Sequence, residues 1–137
     1  IALVFLPHLQ GSFLQGASFI DGKKIVIGLT ARGKDADRFW FSLFHELGHI
    51  LLGHINQSDG TTDEDEEAAD NFAKETLIPT VEFNAFTSLN DFSKASICSF
   101  AQKQNILCGI VVGRLQKEGF INYNRCNDLK TKYVLSA

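Results

Sequence analysis

Residues 35–54, DADRFWFSLFHELGHILLGH, are the stretch that decides the fold. The spacing of their apolar side chains predicts a helix that is apolar on nearly every side, and such a helix is buried in a core. Gly53 fits the end of that helix. Three polar groups, His45, Glu46 and His49, nevertheless interrupt the apolar surface. Burying them without partners would cost several kcal/mol, so the fold must satisfy them.

The segment His45-Glu46-Leu47-Gly48-His49 has the form His-Glu-x-x-His. Residues four apart share a helix face, so both imidazoles can reach one metal ion. Glu46 lies about 100° around the helix from His45, which suits a general base acting on a water bound to that ion. The alternative is two core histidines that are hydrogen-bonded to their neighbours, with Glu46 at the surface. We predict a zinc site, while nitrogen and oxygen donors leave manganese and iron open.

A catalytic zinc needs a third protein ligand, and the acidic run at residues 63–67 offers five candidates. The helix predicted over residues 64–77 turns Glu66 and Asp70 towards its apolar side, whereas the solvated start of a helix explains the other acids. We therefore predict Glu66 as the third ligand. Asp70 is predicted to accept the second ring N–H of a ligand histidine, with His45 as the preferred partner.

Several other residues are weaker candidates for the site. Asp65 is the alternative third ligand. The candidates for stabilising an oxyanion are Tyr123, His8 and Arg114. His54 lies far around the helix from both histidines of the motif, and we interpret it as polar chemistry at the helix end.

The composition indicates one globular domain in a chain of 137 residues. The net charge of -3 divides into -8 for residues 1–92 and +5 for residues 93–137. The three cysteines, Cys98, Cys108 and Cys126, are odd in number and have no C-x-x-C spacing, which disfavours a disulfide framework and favours a reducing compartment.

The apolar run at residues 1–6 is too short for a membrane span or a signal-peptide core, so we predict a soluble protein with no membrane contact. The chain begins at Ile1 and contains no Met, which we interpret as a domain of a longer protein.

The rest of the pattern predicts a small sheet and more helices. Strands are predicted at residues 1–6 and 24–29, and loops at residues 8–18, 56–63 and 84–92. Two further helices are predicted over residues 93–104 and 109–118, closed by Gly119. We divide the chain into a metallopeptidase core, residues 1–92, and a C-terminal helical subdomain, residues 93–137, packed on that core.

The C-terminal subdomain also has the spacing of a helix-turn-helix over residues 93–121, and its balance is basic. Contact with DNA is therefore an alternative. We prefer a helical pair packed on the core, because its charges are scattered and the acidic first part of the chain would repel phosphates.

The motif at residues 45–54, followed by EEAADNFA at 66–73 and LIP at 77–79, resembles the ImmA/IrrE metallopeptidases. FWF at 39–41 and GIVVGRLQ at 109–116 resemble the branch attached to helix-turn-helix regulators of the antitoxin type.

This resemblance implies an α+β, zincin-like fold, in which a small β-sheet packs on the active-site helix and a C-terminal helical subdomain follows. It implies that Glu66 matches the glutamate that the family uses as a ligand, although Ala68 stands where the family usually has a second glutamate. It also implies cytoplasmic peptidases that cleave a cognate DNA-binding repressor, often with a fused or upstream helix-turn-helix domain.

Two classes of function follow from the sequence. The first is a zinc-dependent endopeptidase that hydrolyses a peptide bond in a protein substrate, with a cognate transcriptional repressor as the expected substrate. The alternative is a non-catalytic, metal-binding regulator or antitoxin domain that binds a protein partner or DNA. The presence of Glu46 favours the enzyme, because a purely structural metal site has no need of a general base.

Overall fold

A computed structural model describes the backbone of residues 2–6, 16–21 and 24–30, and both the backbone and the side chains of residues 36–54 and 60–131. The backbone of the N-terminal part has strands β1 (Ala2–Leu6), β2 (Gly16–Asp21) and β3 (Lys24–Thr30). They follow the order β1-β3-β2, with β1 parallel and β2 antiparallel to β3. The helices are α1 (Ala36–Leu51), α2 (Asp63–Leu77), α3 (Thr80–Ser88), α4 (Lys94–Gln104) and α5 (Cys108–Lys117), followed by a 3-10 helix (Asn127–Leu129).

The predicted fold class needs a correction. We expected an α+β, zincin-like fold whose core includes a β-sheet packed on the active-site helix. Over residues 36–54 and 60–131, however, every regular element is helical, and the side chains of the described core come from helices and their connections. The β-branched pattern that suggested a sheet in the core lies in residues 2–30, whose side chains are outside the described part.

The main core is a cluster of apolar side chains between α3, α4 and α5 and the segments that flank them. Phe86 of α3 stacks on Phe100 of α4, with ring centroids 4.4 Å apart. The buried members of this cluster are Ile78, Phe83, Phe86, Ile97, Phe100, Ala101, Ile110, Val111, Val112, Leu115, Ile121 and Cys126. Because α3 shares this core with α4 and α5, the boundary at residue 92 stays a prediction.

Local signals explain where the helices begin and end. Thr62 forms a capping box with Asp65 at the start of α2, and the Ser93 side chain accepts from the Ser96 N–H at the start of α4. Gly119, with a φ of 82°, follows the end of α5. These observations confirm the predicted helices over residues 64–77, 93–104 and 109–118 to within one or two residues.

One predicted loop is wrong. Residues 84–92 were expected to be a loop, but α3 extends to Ser88. Phe83 and Phe86, three residues apart, are both buried on the same side of that helix. Because polar residues flank these two phenylalanines, the sequence pattern did not predict a helix here.

The close approach of α1 and α2 brings the predicted site residues near one another. A Cβ atom on Gly48 would lie 3.1 Å from Cδ1 of Phe72 and 3.3 Å from Cα of Ala69. Glycine on α1 and fully buried alanines on α2, Ala69 and Ala73, let the two backbones come close together. Side chains from either helix can therefore meet across a short gap.

No helix in the described ranges has the length and the apolar run that a membrane crossing requires.

Candidate metal centre

Three side chains from two helices meet at the crossing of α1 and α2. Nε2 of His45 lies 3.0 Å from Oε2 of Glu66, and Nε2 of His49 lies 3.3 Å from Oε1 of the same carboxylate. The two Nε2 atoms are 3.0 Å apart. One ligand atom from each residue lies within 4.8 Å of the others.

This donor set fits a metal ion of the zinc type. Ligands at about 2.1 Å from a tetrahedral zinc lie about 3.4 Å from one another. The two Nε2 atoms are 3.0 Å apart, and each lies 3.0 or 3.3 Å from the nearer of the two Glu66 oxygens, which is close to that spacing. Two imidazole nitrogens and one carboxylate oxygen also match the donors of catalytic sites, which keep a fourth position open.

Asp70 lies one helical turn after Glu66 and contacts the other side of the His45 ring. Nδ1 of His45 donates to Oδ1 of Asp70 at 2.7 Å. This bond requires the proton on Nδ1 and leaves the lone pair of Nε2 directed at Glu66 and His49. The structure thus brings His45, His49, Glu66 and Asp70 together, while the roles assigned to them stay predictions.

The environment of the motif combines buried and accessible groups. His49 is 4% exposed and Glu46, on the same helix, is 7% exposed, whereas about half of the Glu66 side chain is accessible. Burial raises the pKa of Glu66, but the hydrogen bond that Thr61 donates and the electrostatic interactions with His49 and His45 outweigh it. The net pKa of Glu66 is therefore lowered. Glu66 is an anion at neutral pH, as a carboxylate ligand must be.

His54 is the site residue whose place the sequence analysis missed. Its Nδ1 lies 3.0 Å from Nδ1 of His49, and its Nε2 lies 3.3 Å from Oδ1 of Asp65. Asp65, the alternative third ligand, thus contacts His54. A glycine just before a histidine at the helix end was the available signal, because glycine permits the chain to turn back.

The three candidates for oxyanion stabilisation are not brought to the metal centre by the described contacts. Arg114 donates to the carbonyl of Ile78 and to the carboxylate of Glu118, and its guanidinium lies over the Phe83 ring. Tyr123 is 70% exposed. His8 lies outside the described residues.

A cavity of about 740 Å³ extends along α1, α2 and α5, beside the metal centre. Its lining includes Phe41, Asp70, Lys74 and Lys117, but none of the three converging ligands. The cavity therefore approaches the centre from the Asp70 side.

Comparison with known proteins adds an independent finding. The family model described as the IrrE N-terminal-like domain, of a peptidase family, matches residues 6–116. This range includes α1, α2 and all four residues at the candidate centre. No curated protein gives a match to the chain.

Proposed function

Because this chain belongs to the IrrE N-terminal-like domain family, we propose that it is a zinc-dependent endopeptidase that cleaves a peptide bond in a protein substrate. Membership of the family confirms the resemblance found in the sequence. The metal identity, the catalytic activity and the substrate are parts of this proposal.

The convergence of three donor atoms carries the proposal. His45 and His49 come from one helix and Glu66 from another, and their donor atoms lie within 4.8 Å of one another. Such a group needs compensation, because two imidazoles and a carboxylate are costly to hold together in a partly buried place without a cation. A divalent cation provides that compensation, and hydrolysis explains the additional glutamate in the motif.

The residues of the chain have separate tasks in the proposed reaction. When bound, the metal supplies an acidified water and a Lewis acid for the scissile carbonyl. Glu46 takes a proton from the attacking water and delivers it to the leaving amine. Asp70 keeps the His45 proton on Nδ1, so that Nε2 stays available as a ligand.

The proposed substrate is a DNA-binding transcriptional repressor, as the resemblance to regulator-associated members of the family suggests. In that setting the chain works in the cytoplasm, with a fused or upstream helix-turn-helix domain as a proposed partner. The cavity beside Asp70 offers room for the residues that flank the cleaved bond, with apolar and charged groups along its walls.

The alternative of a DNA-binding regulator has less support from the C-terminal helices. A recognition helix must expose one face to the bases. Six of the ten residues of α5 are buried, and Val111, Val112 and Leu115 are fully enclosed in the core. We therefore keep a helical pair packed on the core as the proposed arrangement of residues 93–121.

A comparison of Glu46→Gln with Glu82→Gln tests the proposal. Glu82 is exposed on α3, so the second variant controls for the loss of one carboxylate. The zinc-loaded proteins are incubated with candidate transcriptional repressors from the same genome and with a peptide library, and cleavage is read by mass spectrometry. We expect Glu46→Gln to retain zinc and to lose activity by about 10²–10⁴-fold, while Glu82→Gln cleaves like the wild type.

Cleavage by zinc-loaded Glu46→Gln at the wild-type rate would contradict the catalytic role. A wild-type chain that binds zinc, cleaves neither substrate and shifts DNA in a salt-dependent way would favour the regulator instead.

A further inference from the structure

His54 follows α1, and its ring contacts the ring of His49. The chain reverses at Gly53, whose φ is 79°, and the His54 backbone N–H donates to the His49 carbonyl at 2.8 Å. This reversal brings Nδ1 of His54 to 3.0 Å from Nδ1 of His49. Only 10% of the His54 side chain is exposed. The ring is thus held against the side of His49 that faces away from Glu66.

Asp65 holds the other side of the His54 ring. Its Oδ1 lies 3.3 Å from Nε2 of His54, and its Oδ2 accepts from the backbone N–H of Thr62 at 3.0 Å. The Asp65 backbone N–H in turn donates to the Thr62 hydroxyl, which completes the cap of α2. Because the cap holds Oδ2, the orientation of Oδ1 towards His54 is fixed. Both oxygens of Asp65 thus have a hydrogen-bonding or ion-pair partner.

The ring protons of His49 and His54 can be placed so that each hydrogen bond in the series runs in the same direction, from His49 to His54 to Asp65. A metal-binding His49 uses the lone pair of Nε2, so its ring proton must lie on Nδ1. The atom that can accept this proton's hydrogen bond is Nδ1 of His54, at 3.0 Å. His54 accepts there only if its own proton lies on Nε2, where Asp65 is the acceptor. Every donor in the series therefore meets an acceptor.

We infer that His54 and Asp65 are positioning residues that orient His49 as a metal ligand, as Asp70 does for His45. This inference rests on the proposed metal centre and assigns a task to two residues outside its ligand set. Each ligand histidine then has its own support: a direct carboxylate behind His45, and a histidine with a carboxylate behind His49. Loss of such outer partners typically weakens metal binding by about 10–100-fold.

A purely structural role is the competing explanation, since the contact between His54 and Asp65 also joins the end of α1 to the start of α2. The two explanations predict different metal-binding properties. A structural link would lower the stability of the metal-free protein and leave the ligand geometry unchanged. A positioning role changes the affinity for the metal and the geometry around it in a protein that remains folded.

Cobalt titration of the full chain separates these explanations, because the visible absorption of Co²⁺ depends on the geometry of its ligands. His54→Phe keeps a planar ring and removes both hydrogen bonds, whereas His54→Gln retains one acceptor and one donor. Thr62→Ala serves as the control, because it weakens the cap of α2 but keeps the backbone N–H that holds Asp65.

We expect His54→Phe to bind Co²⁺ about 10–100-fold more weakly with altered absorption bands, and His54→Gln to recover most of the affinity. Thr62→Ala should bind like the wild type despite a lower melting temperature. Wild-type affinity and wild-type absorption in folded His54→Phe would overturn the inference.

A second measurement needs no variant. Long-range ¹H–¹⁵N spectra of the zinc-loaded wild type should show the His49 proton on Nδ1 and the His54 proton on Nε2. The opposite tautomer of His54 would overturn the inference even if His54→Phe did not fold.

The outcomes distinguish this inference from the proposed function. A wild-type chain that binds neither Co²⁺ nor Zn²⁺ refutes both. Normal metal binding by His54→Phe refutes the positioning role alone. A weakened His54→Phe, in a protein whose wild type binds metal but cleaves nothing, supports the positioning role and refutes the peptidase.

Discussion

Replacing Gly48 by alanine should separate metal binding from folding stability. Gly48 lies between the two histidines of the motif, where α1 packs tightly against α2. The added Cβ would lie 3.1 Å from Cδ1 of Phe72, 3.3 Å from Cβ of Phe72 and 3.3 Å from Cα of Ala69. The last contact is to backbone, which a rotamer change cannot relieve. We therefore expect α2 to move away from α1 by a few tenths of an ångström.

Two effects on stability oppose each other in this variant. Alanine in a helix interior is favoured over glycine by about 1 kcal/mol. Extra volume in a tightly packed contact costs about 1–3 kcal/mol. The net decrease in the free energy of unfolding is then about 0–2 kcal/mol, or about 0–8 °C in melting temperature for a domain of this size.

The proposed metal site should tolerate less movement of α2 than the fold does. Metal–ligand distances are held to within about 0.2 Å, so movement of α2 carries Glu66 beyond that range. We expect zinc affinity to fall by about 10–100-fold, the range found when the support of a ligand is disturbed. Calorimetric zinc titration measures the affinity, and thermal unfolding of the metal-free protein measures the stability.

A second substitution tests the cause. Phe72→Ala in the Gly48→Ala protein removes the ring, whose Cδ1 is nearest to the new methyl group, and should restore part of the zinc affinity. Wild-type zinc affinity in Gly48→Ala alone would refute the reasoning that the close approach of α1 and α2 sets the ligand distances.

Three other predictions follow from the described contacts. Saturating zinc, at about 1,000 times its dissociation constant, should stabilise the wild type by about 4 kcal/mol, measured as a shift in melting temperature. Glu66→Gln should lose most of this shift, whereas Glu67→Gln, at an exposed neighbouring position, should keep it. An equal shift in both variants would exclude Glu66 as a ligand. The hydrogen bond with Cys108 and burial raise the pKa of Cys98 from 9.0 to about 11. At pH 8 iodoacetamide should therefore alkylate Cys98 about 100-fold more slowly than an ordinary thiol, and the rate should rise up to about pH 11. A rate profile with its midpoint near pH 9 would contradict this prediction. Gln116 is 2% exposed, and its Nε2 donates to the Arg125 carbonyl at 3.0 Å and to Oδ1 of Asn127 at 2.9 Å. Gln116→Leu should lower the free energy of unfolding by about 1–2 kcal/mol, measured by urea titration. Unchanged stability would show that these two hydrogen bonds make no net contribution.

The sequence alone was sufficient to select the candidate ligands. A spacing of four residues places His45 and His49 on one face of a helix, and the same spacing places Glu66 and Asp70 on one stripe of the next. These relations depend only on helical geometry, which is a local property. For that reason the residues that converge in the structure could be named before any tertiary contact was known.

The tertiary structure determined the contacts that helical periodicity does not specify. The reversal at Gly53 turns His54 back onto His49, a contact that requires a positive φ and cannot be obtained by continuing the helix. The α3 helix forms because Phe83 and Phe86 are buried against other helices, although its own sequence has only a weak period. Among the described side chains, the core comes from helices and their connections, where a layer of sheet on helix was expected. Periodicity determines which face of an element is apolar, but only the packed fold determines which partner covers that face.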